Sequence, residues 1–184
     1  MRRIIIQYGG TGDLAEKKLY PAYRNLMERG YEFELLALGR RFSTREEFLA
    51  SLAHGAPPSF LEHLHYLHYD MNGPDAVSQL ASAIMALVKG TSEVELIYYL
   101  ALQPSLYEAA IGEIKAIDAT LACHCTLKKK IIVEKPFGFD TESALRYNTI
   151  LEQAFTDQEI YRVDHYLGKE FMQNLLLMRF HNDI

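Results

Sequence analysis

The feature that most constrains this chain is a regular alternation of short apolar runs with longer amphipathic stretches. Ile4–Tyr8, Phe33–Leu38, Leu64–Tyr69, Val94–Leu100, Lys130–Glu134 and Glu159–Arg162 are mostly continuous in Ile, Val, Leu, Tyr and Phe. That is the pattern of strands covered by helices on both faces. Helices are predicted near Leu14–Arg29, Thr44–Ala53, Pro74–Val88, Pro104–Ala116, Thr141–Gln153 and Lys169–Met178. Ser43 and Glu46 read as a capping box, and Pro74 and Pro104 suit first-turn positions. Gly55–Ser59, with Pro57-Pro58, is the clearest loop. Strand–helix alternation implies a doubly wound α/β fold with a mainly parallel sheet and helices on both faces. No linker divides the 184 residues, so one domain over 1–184 is expected.

Composition removes several function classes. The net charge is −5, which argues against nucleic acid as a partner through bulk charge. An anionic ligand would need positive charge gathered locally. The only cysteines are Cys123 and Cys125, too few for a disulfide scaffold, so a cytoplasmic location is expected. The apolar part of MRRIIIQYGG is too short for a signal peptide, and the longest apolar run, Leu96–Leu102, is far short of the ~20 residues of a membrane span, so no membrane partner is expected. His63, His65 and His68 read as a solvated strand edge, and Cys123-His124-Cys125 is too tight for structural zinc, so no metal site is expected. Lys128–Lys130 reads as a solvated approach to a strand. No tyrosine is followed four residues later by lysine, so the central pair of short-chain dehydrogenases is missing.

The first strand leads into Tyr8-Gly9-Gly10-Thr11-Gly12-Asp13-Leu14 and then a helix. Glycines let backbone N–H groups approach a pyrophosphate, and a helix N-terminus favours its charge. This is the context of a Rossmann-type dinucleotide turn, although Thr11 and Leu14 stand at the second and third positions of G-x-G-x-x-G. On the glycines alone, an ordinary tight turn reads the same way. No P-loop string occurs. The second strand ends in Leu38-Gly39-Arg40-Arg41, with no acid for a ribose hydroxyl. Arg40 suits a 2′-phosphate as a charge-assisted partner, which favours NADP over NAD; a solvated surface arginine is the alternative.

Two later strings carry further candidates. Lys135 follows a strand and precedes Pro136, which holds it in extended geometry; a lone surface lysine is the bland reading. The next strand ends in Asp164-His165-Tyr166-Leu167-Gly168-Lys169. Imidazole, phenol and ammonium together suit a phosphate monoester, and Asp164 can orient a histidine base. A polar strand–helix loop is the alternative.

Four strings together resemble glucose-6-phosphate dehydrogenase: GGTGDLAEKKLYPA at 9–22, YLALQPSLYEA at 99–109, IIVEKPFGFD at 131–140 and IYRVDHYLGKEFMQNLLLMRF at 160–180. DHYLGKE is highly specific to that family. The resemblance implies oxidation of glucose 6-phosphate to 6-phosphoglucono-lactone with reduction of NADP, the first step of the pentose phosphate pathway. It implies that Gly9, Thr11, Gly12, Asp13 and Leu14 form the coenzyme-phosphate turn. Arg40 would meet the 2′-phosphate with Arg41 beside it, and Leu100, Ala101 and Pro104 would lie by ribose and nicotinamide. Lys135 would contact sugar and coenzyme, His165, Tyr166 and Lys169 would clamp the sugar phosphate, and Asp164 would orient the catalytic histidine.

In the family that histidine lies downstream, in a large α+β domain. The chain resembles the coenzyme-binding portion alone, with about 169–184 beginning the connection to a domain that is absent, and little activity is expected of it by itself. Phe171, Leu175, Leu176 and Met178 would then form an exposed apolar face, favouring self-association or a complementing C-terminal domain. A sugar oxidoreductase of the glucose–fructose oxidoreductase type shares the Rossmann domain and the Glu-Lys-Pro string but lacks DHYLGKE. A non-catalytic NADP-binding module, or half of a split enzyme, is the third reading.

Overall fold

A computed structural model describes residues 1–52, 55–135, 138 and 140–163. Within them β1 (Arg2–Tyr8), β2 (Glu34–Gly39), β3 (Leu64–His68), β4 (Glu93–Leu100), β5 (Thr126–Glu134) and β6 (Ile160–Val163) form one sheet in the order β3-β2-β1-β4-β5-β6. Every pairing is parallel. The helices are α1 (Tyr20–Glu28), α2 (Arg45–Leu52), α3 (Pro58–Glu62), α4 (Ala76–Val88), α5 (Tyr107–Leu121) and α6 (Thr141–Glu152). Strand residues alternate between faces, so the nearly continuous apolar strands feed two cores. Ile4, Ile6, Tyr8, Leu96, Tyr98 and Ile131 pack under α4, α5 and α6, while Ile5, Leu35, Ala37 and Tyr99 pack under α1, α2 and α3. Leu80 and Ile84, four apart on α4, are fully buried, each contributing roughly 1.5–3 kcal/mol.

The doubly wound parallel sheet and the periodicity reading agree closely, with instructive differences. The cap of α2 is shifted by one residue. The Thr44 hydroxyl accepts from the Glu47 N–H at 3.2 Å, and the Glu47 carboxylate accepts from Ser43 N–H at 2.9 Å. The predicted loop at Gly55–Ser59 already starts α3 at Pro58, whose missing N–H costs nothing at a first helical position. Pro74 instead precedes the N-cap residue, Asp75. Lys128–Lys130 lies within β5 rather than before it. Lys129 reaches Asp118 at 2.9 Å and Lys130 reaches Glu95 at 2.7 Å, so buried acids hold the charges while the aliphatic stems pack. His63 and His65 are not merely solvated, since both meet Glu34, at 3.4 and 2.8 Å. The predicted helix Lys169–Met178 lies outside the described residues.

Glu113 of α5 marks a point of tension in the core. Both of its carboxylate oxygens, like the hydroxyls of Tyr8 and Tyr69, are shielded from water and meet no partner in good hydrogen-bond geometry. Burial pushes the Glu113 carboxyl up, with the nearby Tyr69 hydroxyl opposing. A carboxyl raised in the folded state stays protonated there while the unfolded chain ionises. Its stability contribution is therefore full below the ordinary carboxylate range and is lost as pH climbs through the raised value. Glu113→Gln should flatten that loss, so that stability falls less between pH 4 and pH 8 than in the unsubstituted protein. Denaturant melts from pH 4 to 8 check this; an unchanged pH slope would contradict it.

Candidate functional site: the carboxyl ends of the central strands

The strand order reverses between β1 and β4, and ligands of such sheets bind in the crevice beyond the carboxyl ends there. In register, Tyr8 pairs with Leu100 on one side and Leu38 on the other. The chain leaves β1 through Gly9, whose φ is +73°, a conformation costly for residues with a Cβ. A Cβ on Gly9 would also collide with the carbonyl oxygen of Ala101. Gly10 donates its N–H to the Leu38 carbonyl at 2.8 Å, and a Cβ there would sit 2.8 Å from that of Ala37. The turn is thus pinched between the ends of β2 and β4. Gly12 N–H closes it onto the Gly9 carbonyl at 3.0 Å, and the helical path follows, beginning with a wider π turn at Ala15–Leu19 that runs into α1.

The departures from the glycine pattern have physical partners. Thr11 lies against Gly39, where a Cβ would come 3.0 Å from the Thr11 Cβ. Glycine at the end of β2 therefore makes room for threonine in the turn. Leu14 packs partly buried against the α1-side core. Two tyrosines of α1 fasten this region from beneath, and nothing in the periodicity announces them. Tyr20 donates its hydroxyl to the Gly10 carbonyl. Tyr23 donates to Gln7 Oε1 at 2.6 Å, and Gln7 Nε2 donates to the Tyr8 carbonyl at 3.1 Å, which satisfies a fully buried amide. Burial pushes both phenols up, so they stay protonated donors.

The first amides of a helix have no intrahelical acceptor and suit an anion. Asp13, in this first turn, is exposed and paired with Lys17 at 2.7 Å, whose hydrogen bond holds its carboxyl below the usual range. Arg40 and Arg41 follow Gly39 with side chains 72% and 62% exposed. Arg41 lies 3.9 Å from Glu16 and 5.5 Å from the centre of the Phe42 ring, and Arg40 lies 4.0 Å from Asp70. Across the crevice, Ala101 N–H donates to the Tyr8 carbonyl at 3.2 Å. Leu100 is fully buried, so it offers the crevice backbone only, and buried Pro104 opens the short turn into α5.

Lys135 stands exposed at the end of β5, and its backbone N–H reaches the Val163 carbonyl at 3.3 Å. The ends of β5 and β6 are thus joined one residue before Asp164. Tyr99 donates to Glu134 Oε1 at 2.5 Å, holding that side chain, and Tyr107 donates to the Glu134 carbonyl at 3.3 Å, holding the backbone from which Lys135 departs. Pro136, Asp164, His165, Tyr166 and Lys169 lie outside the described residues. Among the described residues, no group of three or more His, Cys, Asp or Glu is placed to hold a metal ion. No helix among them is long and apolar enough to cross a membrane.

A groove of about 770 Å³ lies at the opposite end of the sheet, between Arg2, Arg3, Tyr31 and Phe60. Its arginines are already engaged, Arg2 with Glu34, Arg3 with Glu95 and Arg24 with the Gly55 carbonyl. Ligands of a parallel α/β sheet bind at the other end, where the glycine turn and the exposed arginines converge.

This fold and this turn define a dinucleotide-binding domain of the Rossmann type. Residues 5–174 match the model of the glucose-6-phosphate dehydrogenase NAD-binding domain. The chain belongs to the glucose-6-phosphate dehydrogenase family. It is 32% identical to glucose-6-phosphate 1-dehydrogenase of Bacillus subtilis, over 100% of this chain and 39% of that protein. It is 35% identical to the cytoplasmic glucose-6-phosphate 1-dehydrogenase 5 of Arabidopsis thaliana, over 97% of this chain and 38% of that protein. A solved glucose-6-phosphate dehydrogenase in complex with its substrate glucose 6-phosphate superposes with a TM-score of 0.80 at 30% identity, over 98% of this chain and 40% of that one. The chain thus spans about two fifths of the length of these relatives.

The pinch at Gly9 makes a direct test. Gly9→Val combines an unfavourable backbone with a collision against Ala101, so it should cost about 2 kcal/mol or more and abolish dinucleotide binding. Tyr20→Phe should cost about 1 kcal/mol through the Gly10 carbonyl alone. Chemical denaturation with coenzyme titration checks both. A Gly9→Val protein with native stability and affinity would contradict the packing described.

Proposed function

We propose that this protein binds NADP across the Gly9–Leu14 turn and takes part in oxidising glucose 6-phosphate to 6-phosphoglucono-lactone. The observation that carries the coenzyme half is local. An otherwise acidic chain sets two exposed arginines at the end of β2, beside a turn with no room for side chains at Gly9 and Gly10. The sugar half is supported by family membership and by the order Asp164-His165-Tyr166-Leu167-Gly168-Lys169.

When bound, the nicotinamide coenzyme supplies the acceptor for the hydride leaving C1 of the sugar. The residues of this chain bind and orient. Backbone amides of the turn and its helix face the pyrophosphate. Arg40 pairs with the 2′-phosphate, and Arg41 adds charge beside it. Leu100 and Ala101 contribute backbone beside the ribose and nicotinamide, with Pro104 directing the chain away. Lys135 donates to the sugar where it meets the coenzyme, and His165, Tyr166 and Lys169 hold the sugar phosphate. Asp164 orients the histidine that removes the C1 hydroxyl proton, a residue the family carries downstream of the matched segment. Two cysteines, neither in a disulfide, accord with a cytoplasmic location.

Arg40→Ala should weaken NADP binding roughly 10- to 100-fold while changing NAD binding less than about twofold, the worth of one charge-assisted phosphate contact. Calorimetric titration of both coenzymes measures this, and an unchanged NADP affinity would contradict the assignment. Glucose 6-phosphate, and not glucose, should raise the thermal midpoint of the chain; equal responses would remove the phosphate clamp.

A further inference from the structure

We infer that Asp70 discriminates between coenzymes, its carboxylate opposing a 2′-phosphate at Arg40 and so reducing the advantage of phosphorylated over unphosphorylated coenzyme. The inference rests on the placement of the 2′-phosphate at Arg40 proposed above. It concerns a residue that β2 alone does not reveal. Dinucleotide sites that prefer an unmodified ribose use an acid at the end of the second strand, and β2 ends here in Gly39-Arg40-Arg41. The loop that follows the neighbouring strand, β3, supplies an acid. Asp70 Oδ1 lies 4.0 Å from Arg40 Nη1.

Backbone contacts set where the Asp70 carboxylate stands. Tyr69 N–H donates to the Gly39 carbonyl at 2.9 Å, tying the end of β3 to the residue before Arg40. The Tyr69 side chain is buried. Asn72 N–H donates to Asp70 Oδ1 at 3.2 Å, and Gly73 N–H donates to the Asp70 carbonyl at 2.9 Å. The carboxylate is therefore held in a turn that faces Arg40.

The Arg40 and Asp70 side chains are 72% and 49% exposed, so their mutual attraction is weak and gives way to a phosphate. The acid stays in place when it does. A phosphate on Arg40 then faces a fixed like charge, whereas an unmodified ribose presents hydroxyls that can donate to that carboxylate.

The test uses the whole chain with four probes: NADP, NAD, adenosine 2′,5′-bisphosphate and adenosine 5′-phosphate. Asp70→Asn keeps an oxygen for the Asn72 N–H, so the turn is retained, and Asp70→Ser is a second variant that also keeps an acceptor. Both should raise the affinity ratio of 2′-phosphorylated over unphosphorylated probe by roughly three- to tenfold at low salt, with a smaller gain at high salt. An unchanged ratio would overturn the inference. So would a falling one, which would make Asp70 a support for Arg40. Arg40→Ala, measured alongside, separates the two levels. If it loses the 2′-phosphate preference while the Asp70 variants change nothing, only the role of Asp70 fails. If it keeps that preference, the site reading fails and this inference with it.

Discussion

The approach of Gly9 to the Ala101 carbonyl sets the geometry of everything at the carboxyl ends of β1 and β4. Because no side chain intervenes, the turn can fold tightly across the point where the sheet reverses direction. Gly10 seals the other side against Leu38, and Tyr20 holds the Gly10 carbonyl from below. The opening of the following helix is left aimed over the crevice. Removing any one of these contacts would let the turn relax away from the space a dinucleotide needs, which is why packing and function are inseparable here.

Charge is arranged with the same economy. Glu95 takes Arg3 at 2.6 Å and Lys130 at 2.7 Å, while Asp118 takes Tyr98 at 2.6 Å and Lys129 at 2.9 Å. Glu34 takes Arg2 at 3.1 Å and His65 at 2.8 Å. Burial opposes ionisation of Glu34 and Glu95, yet these hydrogen bonds win and hold both carboxyls below the usual range. These basic groups are committed to partners well away from the glycine turn. Arg40 and Arg41, by contrast, are loosely paired and exposed at that turn, so positive charge able to meet an anion is present there although the chain is acidic overall.

Much of this was legible in the sequence, for identifiable reasons. Strands buried on both faces write long apolar runs, so β1, β2 and β4 were readable, as was the glycine turn after β1. The early start of β5 was not, because Lys128 to Lys130 look solvated until Glu95 and Asp118 are known to wait beside them. Tyr20, Tyr23 and Gln7 act through contacts across helix and strand that no local pattern encodes. Asp70 is not announced by any local pattern, because the acid such a site is expected to carry belongs at the end of β2, and Asp70 comes from the loop after the adjacent strand. Lys135 stands just past the end of β5, as the apolar run before it implies, and its backbone bond to Val163 joins the ends of β5 and β6.

The most direct measurement of the central claim is a map of backbone amide shifts as NADP is titrated into isotopically labelled protein. The account predicts that the largest changes fall on Thr11 through Ala15, Gly39 and Arg40, and Ala101, at one end of the sheet. Changes concentrated instead around Met1, Tyr31 and Phe60, at the opposite end, would contradict it.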